Sequence, residues 1–129
     1  MSIDRSTIST ADAPEAIGPY SQAVRSGGLL FCSGQIPLDP ETGEISGTTA
    51  AEQATRCLQN LTAVCEAAGT TLANALRLTV YTTELGEFAA INDAYGAFFE
   101  ADPPARVAVG VSTLPKGALV EIDAIVAVP

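Results

Sequence analysis

An apolar stripe at helical spacing between residues 54 and 68 constrains the fold more than any other feature of the chain. Ala54, Cys57, Leu58, Leu61, Val64, Cys65 and Ala68 recur every three or four positions, the period of one face of an α-helix. Thr49, with Glu52 three residues later, has the form of a capping box, and Gly69 supplies a stop. A helix with so apolar a face has to bury it. The runs on either side alternate at period two, so the surface it covers is a sheet.

Ser6-Thr7-Ile8-Ser9 has the length of a short strand. Ala23-Val24-Arg25 and Leu29-Leu30-Phe31-Cys32-Ser33 read as two strands joined through Ser26-Gly27-Gly28, a hairpin signal. Gly34-Gln35 interrupts the second of these before Ile36-Pro37-Leu38, and a glycine there marks a bulge or a close approach by another group. Leu76 to Thr83 alternates Leu76, Leu78 and Val80 against Arg77, Thr79 and Tyr81. A second helix is predicted over about 87–100, with Phe88, Ile91, Tyr95 and Phe98 on its buried side. Strands at Arg106–Ser112 and Leu119–Val128 close the chain. The order β-β-β-α-β-α-β-β predicts an α+β protein, a mixed sheet with both helices packed on one face. Residues 1–129 form a single domain, without repeats or linkers. The other sheet face is half apolar, which predicts a homo-oligomer.

Pro103 to Val111 carries the most informative polar residue. Alternation puts Val107, Val109 and Val111 on one face, expected to be the core face. Arg106 then shares the other face with Ala108 and Gly110, whose small side chains leave room beside it. A guanidinium fork above an open floor can receive a carboxylate, although a solvated strand-end arginine explains the stretch taken alone. In the last strand Val120, Ile122 and Ala124 share one face. If the two final strands pair antiparallel with their β-branched faces together, Glu121 shares a face with Arg106.

Composition then excludes whole classes of chemistry. The chain has no histidine, which removes Ser-His-Asp and Cys-His catalysis and histidine-bound zinc. An acid–base catalyst must be Glu, Asp, Tyr, Lys, Cys or a bound water. Fifteen acidic residues against six basic ones give a net charge of −9, which argues against a nucleic-acid partner. Cys32, Cys57 and Cys65 make no CxxC and no disulfide framework; Cys57 and Cys65 fall on the apolar stripe, as buried thiols do. With no run of about 18 apolar residues and no signal-like N-terminus, a cytoplasmic protein with no membrane partner is expected.

Tyr20, Ser33, Gly34, Asn92, Arg106 and Glu121 are the polar or special residues left to explain, and each has a structural reading when taken singly. Together they fall in segments that resemble the RidA/YjgF family of reactive-imine deaminases over nearly the whole length. Those segments are Ile17-Gly18-Pro19-Tyr20-Ser21-Gln22-Ala23, Cys32-Ser33-Gly34-Gln35-Ile36-Pro37-Leu38, the run Phe88 to Phe99, Pro104-Ala105-Arg106, and Leu114 to Ile122. The resemblance implies a chorismate-mutase-like fold, a homotrimer with clefts between subunits, and no cofactor or metal. It implies hydrolysis of 2-imino acids, tautomers of enamines such as 2-aminoacrylate, to 2-oxo acids and ammonia. By the same resemblance, Arg106 holds the substrate carboxylate with help from a backbone N–H near Gly34. Glu121 orients or deprotonates water and later serves the departing ammonia. Tyr20, Ser33, Gly34, Asn92 and Ala108 line the cleft, Tyr20 coming from a neighbouring chain in one arrangement. Many family members carry a small hydroxyl residue and then Cys or Thr after the arginine, where this chain has Val107 and Ala108.

Three other functions compete with this one. The same cleft could hold a 2-oxo or amino acid without turnover, as a regulatory binding protein. It could deaminate a different imine or enamine in a catabolic pathway. Some relatives carry an endoribonuclease label, against which the charge and the missing histidine weigh.

Overall fold

Six strands build one sheet in the computed structural model, which describes residues 2–129: β1 (Ser6–Ile8), β2 (Ala23–Ser26), β3 (Leu29–Gln35), β4 (Ala75–Thr82), β5 (Ala105–Gly110) and β6 (Val120–Ala127). Two helices, α1 (Ala50–Ala67) and α2 (Phe88–Gly96), complete the predicted order β-β-β-α-β-α-β-β. The spatial order of strands is β1-β2-β3-β6-β4-β5. Every neighbouring pair is antiparallel except β4 and β5, which run parallel and are joined by the crossover that contains α2. Among the described residues no helix is long and apolar enough to cross a membrane.

Helix α1 begins and ends where its sequence says it should. Thr49 Oγ1 accepts from Glu52 N, and Glu52 Oε1 accepts from the backbone N–H groups of Thr48 and Thr49 at 3.0 and 3.1 Å. These donors hold the Glu52 carboxyl below the usual carboxylate range. At the other end Gly69 has φ +83°, a conformation open to glycine. Gly69 N–H then bonds to Glu66 O and Thr70 N–H to Cys65 O, the paired bonds of a Schellman motif.

The core lies between the helices and one sheet face. Leu30, Leu78, Val80, Val120, Ile122 and Val126 of the sheet are fully buried, as are Cys57, Leu58, Leu61, Val64 and Cys65 of α1 and Ile91 of α2. Each buried leucine contributes about 1.5–3 kcal/mol relative to leaving it in water. Two polar side chains of α1 are also buried, and both tie loops to the helix. Asn60 Nδ2 donates to Leu38 O at 3.0 Å, while its Oδ1 accepts from Arg56. Gln53 Nε2 donates to Gly47 O, and its Oε1 accepts from Leu119 N–H at 2.7 Å. The segment after β3 and the start of β6 are thereby fixed relative to α1.

Five expectations are corrected. β5 and β6 are not partners, because β4 lies between them. The registers Leu78↔Arg106 and Leu78↔Ala124 put Arg106 on the helix-covered face, with Ala124, Ile122 and Val120. Tyr81↔Glu121 and Tyr81↔Val109 put Glu121 on the opposite, open face with the valines. Arg106 and Glu121 of one chain therefore do not share a face. Nor are the valines core: Val107 is 44% exposed and Val109 38%, because a crossover to an edge strand, not a hairpin to β6, sets the orientation of β5. A register shift between Ala75 and Arg77 turns Leu76 outward. Helix α2 stops at Gly96, its last turn tightened by bonds from Phe98 N–H to Tyr95 O and from Phe99 N–H to Gly96 O.

The open face is indeed half apolar. Leu29, Phe31, Val107 and Val109 are all exposed on it, beside Glu121, Asp123 and Tyr81.

Candidate active site

The open face carries a cleft of about 420 Å³, lined by Ile17, Tyr20, Ser33, Gly34, Ile36, Pro115 and Glu121. It exists because β3 bulges. Cys32 pairs with Ala124 and Gln35 with Ile122, so Ser33 and Gly34 together oppose the single residue Asp123. The bulge brings the Gly34 backbone up against the Glu121 carboxyl. A methyl group on Gly34 would collide with Glu121 Oε2 and lie 3.0 Å from its Cδ. Both sequence readings of that glycine, bulge and close approach, therefore hold.

Ser33 anchors the wall opposite. Its Oγ donates to Ser21 O at 2.6 Å and its N–H to Gln22 O at 3.0 Å, which lays the segment Tyr20-Ser21-Gln22 along β3. Gln22 is buried and holds the preceding chain, donating to Pro14 O at 2.8 Å and accepting from Thr10 N–H at 2.7 Å. Tyr20 projects from a tight turn closed by its N–H to Gly18 O at 2.9 Å, and its hydroxyl accepts from Ile17 N–H.

Glu121 is half-buried, and burial pushes its carboxyl above the usual range, with the charge of Asp123 adding to the effect. A carboxyl placed in this way is a stronger base than a fully solvated one, suited to taking a proton from water and giving it back. A larger hollow, about 580 Å³ beneath residues 7–16, contains Glu15 and mainly small side chains and has no comparable convergence of functional groups.

Arg106 occupies the other side of the sheet, on the edge strand. Its Nη1 donates to Asn92 Oδ1 at 2.7 Å. Its Cζ lies 4.9 Å from the centre of the Tyr95 ring and 5.2 Å from that of Phe88. Phe88, Asn92 and Tyr95 stand at i, i+4 and i+7 on α2, so one helical stripe grips the guanidinium. The group is exposed, and among the described residues its Nε and Nη2 make no hydrogen bond. Sequence reading placed Asn92 at the edge of this stripe but gave Phe88 and Tyr95 to the core alone. Their spacing around Asn92 was the available signal. The open floor expected beside Arg106 is partly filled: Ala108 packs against the core, and a methyl on Gly110 would come within 3.3 Å of Leu85.

The structure thus brings Tyr20, Ser33, Gly34 and Glu121 together on one face, and Arg106 with Asn92 and Ala108 on the other. No single chain unites the two sets. The cysteines stand apart from both. Cys57 is buried with its thiol on Val120 O, and burial holds it well above the usual thiol range. Cys32 is held up as well, by its hydrogen bond with Cys65 and by burial. Among the described residues no group of three or more Cys, Asp or Glu is placed to bind a metal ion.

The chain is similar to known proteins over nearly its whole length. The family model described as "Endoribonuclease L-PSP" matches residues 10–128. The RutC family protein y4sK of Sinorhizobium fredii is 55% identical over 119 residues, covering 92% of this chain and 94% of that protein. The bovine 2-iminobutanoate/2-iminopropanoate deaminase is 43% identical over 124 residues, covering 96% and 90%. Among solved structures, RidA from an Antarctic Psychrobacter superposes with a TM-score of 0.92 at 42% identity, covering 95% of this chain and 99% of that one. Escherichia coli TdcF with bound serine gives a TM-score of 0.91 at 42% identity, covering 96% and 99%. In sequence and in its chorismate-mutase-like α+β fold, the chain belongs to the RidA/YjgF family.

Proposed function

We propose that this protein hydrolyses 2-imino acids to 2-oxo acids and ammonia, in clefts between the subunits of a homotrimer. The observation that carries this reading is the pairing of a pre-set, exposed guanidinium with a free, half-buried carboxyl, each finished on its own sheet face. The half-apolar open face supplies the surface on which a second chain would bring one set to the other. The relatives support the substrate: the bovine protein is named for deaminating 2-iminobutanoate and 2-iminopropanoate, and TdcF binds serine, another small molecule with an α-carboxylate.

In this reading the substrate carboxylate pairs with Arg106, whose Asn92 bond leaves its remaining donors free, and a backbone N–H beside Gly34 assists. Glu121 takes a proton from water as the oxygen attacks C2 of the protonated imine, giving a tetrahedral amino alcohol. Glu121 passes that proton to the nitrogen, then takes the hydroxyl proton as the C–N bond breaks and the 2-oxo group forms, and hands it to the departing ammonia, which leaves as ammonium. The imine is already electrophilic, so the site needs mainly to orient its reactants, worth about 7 kcal/mol or more in good geometry. A net charge of −9 and the lack of histidine argue against RNA as the substrate.

The test is ammonia or 2-oxo acid release from freshly generated 2-aminoacrylate and from a bulkier imino acid, for wild type and Arg106→Ala. Acceleration by the wild type that disappears in the variant is expected. No acceleration of either substrate by a folded oligomer would overturn the reading in favour of a binding protein, with Val107 and Ala108 the first residues to change.

A further inference from the structure

We propose that Asp123, held by Tyr81, is a positioning residue for Glu121: it engages the hydroxyl directly across from Glu121 and fixes a negative charge beside it, so that the carboxyl stays free to take and return a proton. The role rests on the deaminase reading above. Its basis is the layout of the open face. Tyr81 is the cross-strand partner of Glu121, and Thr79 that of Asp123. Yet Tyr81 Oη donates diagonally, to Asp123 Oδ2 at 2.9 Å.

The consequence for Glu121 is twofold. Burial and Asp123 raise its pKa, and no hydrogen bond to the carboxylate opposes them. Were Tyr81 to turn to its direct partner, its donated bond would favour the ionised form and weaken Glu121 as a base. The titratable groups facing Glu121 are Asp123 on its own strand, Tyr81 on β4, Tyr20 across the cleft and the Cys57 thiol of α1 behind the sheet. Ser33 and Gly34 of β3 bring no charge, and no Lys or Arg lines the cleft. In the proposed assembly a neighbouring protomer adds the guanidinium of its Arg106. The Tyr81 phenol is itself pushed up, first by its bond to Asp123 and then by burial, so it stays a donor.

The test follows the Glu121 carboxyl by carbon-13 NMR titration in the intact oligomer, alongside the acid limb of kcat/KM. Asp123→Asn keeps an acceptor for Tyr81 and removes the charge, so the Glu121 midpoint should move to lower pH. Asp123→Ala also releases Tyr81, and the midpoint should fall further. Adding Tyr81→Phe to Asp123→Ala should recover part of that fall, while Asp123→Glu should hold the midpoint near the wild-type value. An unmoved midpoint in Asp123→Asn would overturn the proposal, as would equal falls in Asp123→Ala with and without Tyr81→Phe. If Asp123→Ala does not fold, Asp123→Asn decides alone. The titration needs no substrate, so a wild type that fails to turn over imines would defeat the deaminase reading and still leave this one decided.

Discussion

Arg106 and Glu121 are held by opposite means. Arg106 stands on an edge strand and is fastened from the side: a 2.7 Å hydrogen bond to Asn92, with two aromatic rings of α2 about the guanidinium. Glu121 stands inside the sheet, pressed against the Gly34 backbone, with burial and a like charge acting on it. In the proposed reaction the difference follows from what each group must do. A guanidinium keeps its proton at any physiological pH, so bonding it firmly costs no reactivity. A proton carrier bonded as firmly would be locked in one state. The two halves are also built on opposite faces of one sheet, so within the chain neither set borrows a side chain from the other.

The strongest way to break this comparison is to put the two halves on different chains. Arg106→Ala and Glu121→Gln should each lower kcat/KM by about 10²–10⁴-fold, the range for a positioned acid–base group or its orienting partner. An equal mixture, unfolded and refolded together, should regain about a quarter of wild-type activity, because a cleft built from one intact Arg106 and a neighbour's intact Glu121 works normally. The readout is imine hydrolysis per subunit, with size-exclusion chromatography showing the mixed oligomer. A mixture no better than its parents would mean that both groups act from the same chain, and the two-face site would be wrong.

A smaller effect should come from disturbing one half only. In Gly34→Ala the new methyl displaces the Glu121 carboxyl and leaves the Arg106 cluster untouched. Moving a reacting group by about 1 Å costs on the order of 10²-fold. We expect kcat to fall by roughly 10–100-fold and KM to rise much less, since Arg106 still captures the carboxylate and only the assisting N–H beside Gly34 is disturbed. The overpacked bulge should cost about 1–3 kcal/mol of stability in denaturant unfolding. An unchanged kcat would show that the close approach at Gly34 has no part in placing the carboxyl.

How much of this was legible in the sequence differs between the halves in the same way. Helix α1, its caps, the bulge at Gly34 and the element order could all be read, because each depends on residues near one another in the chain. Of the carboxylate half, only the bulge was legible for that reason; its meeting with Glu121, far along the chain, rested on the family resemblance and needed the β3–β6 pairing. The surroundings of Arg106 were not, since they depend on which strand β5 pairs with. Parity along Arg106–Val111 was right, but parity alone cannot say which face is covered. The valines looked like core by type, and only the parallel pairing to β4 turns them outward. Once that pairing is known, Phe88 and Tyr95 cease to be plain core residues and become the bed of the guanidinium.

The smallest expected effect separates what the rings do from what the Tyr95 hydroxyl does. Tyr95 is 5% exposed, its ring lies under Arg106 and packs at 5.0 Å on Phe99, and its hydroxyl is buried without a hydrogen-bond partner. Burial accordingly holds the phenol above its usual range, though Arg106 acts the other way. Stacking needs the ring, and nothing among the described residues uses the oxygen. Tyr95→Phe should therefore keep KM within about twofold, as it preserves the cation–π face. It should stabilise the protein by about 1 kcal/mol, or a few degrees in Tm, by removing an unsatisfied buried group. Thermal unfolding and the KM for an imino acid together check this. A loss of stability or a raised KM in Tyr95→Phe would mean that the hydroxyl finds its partner in a second chain. The guanidinium half would then be completed by the assembly and not within α2, which would remove the sharpest contrast between the two halves.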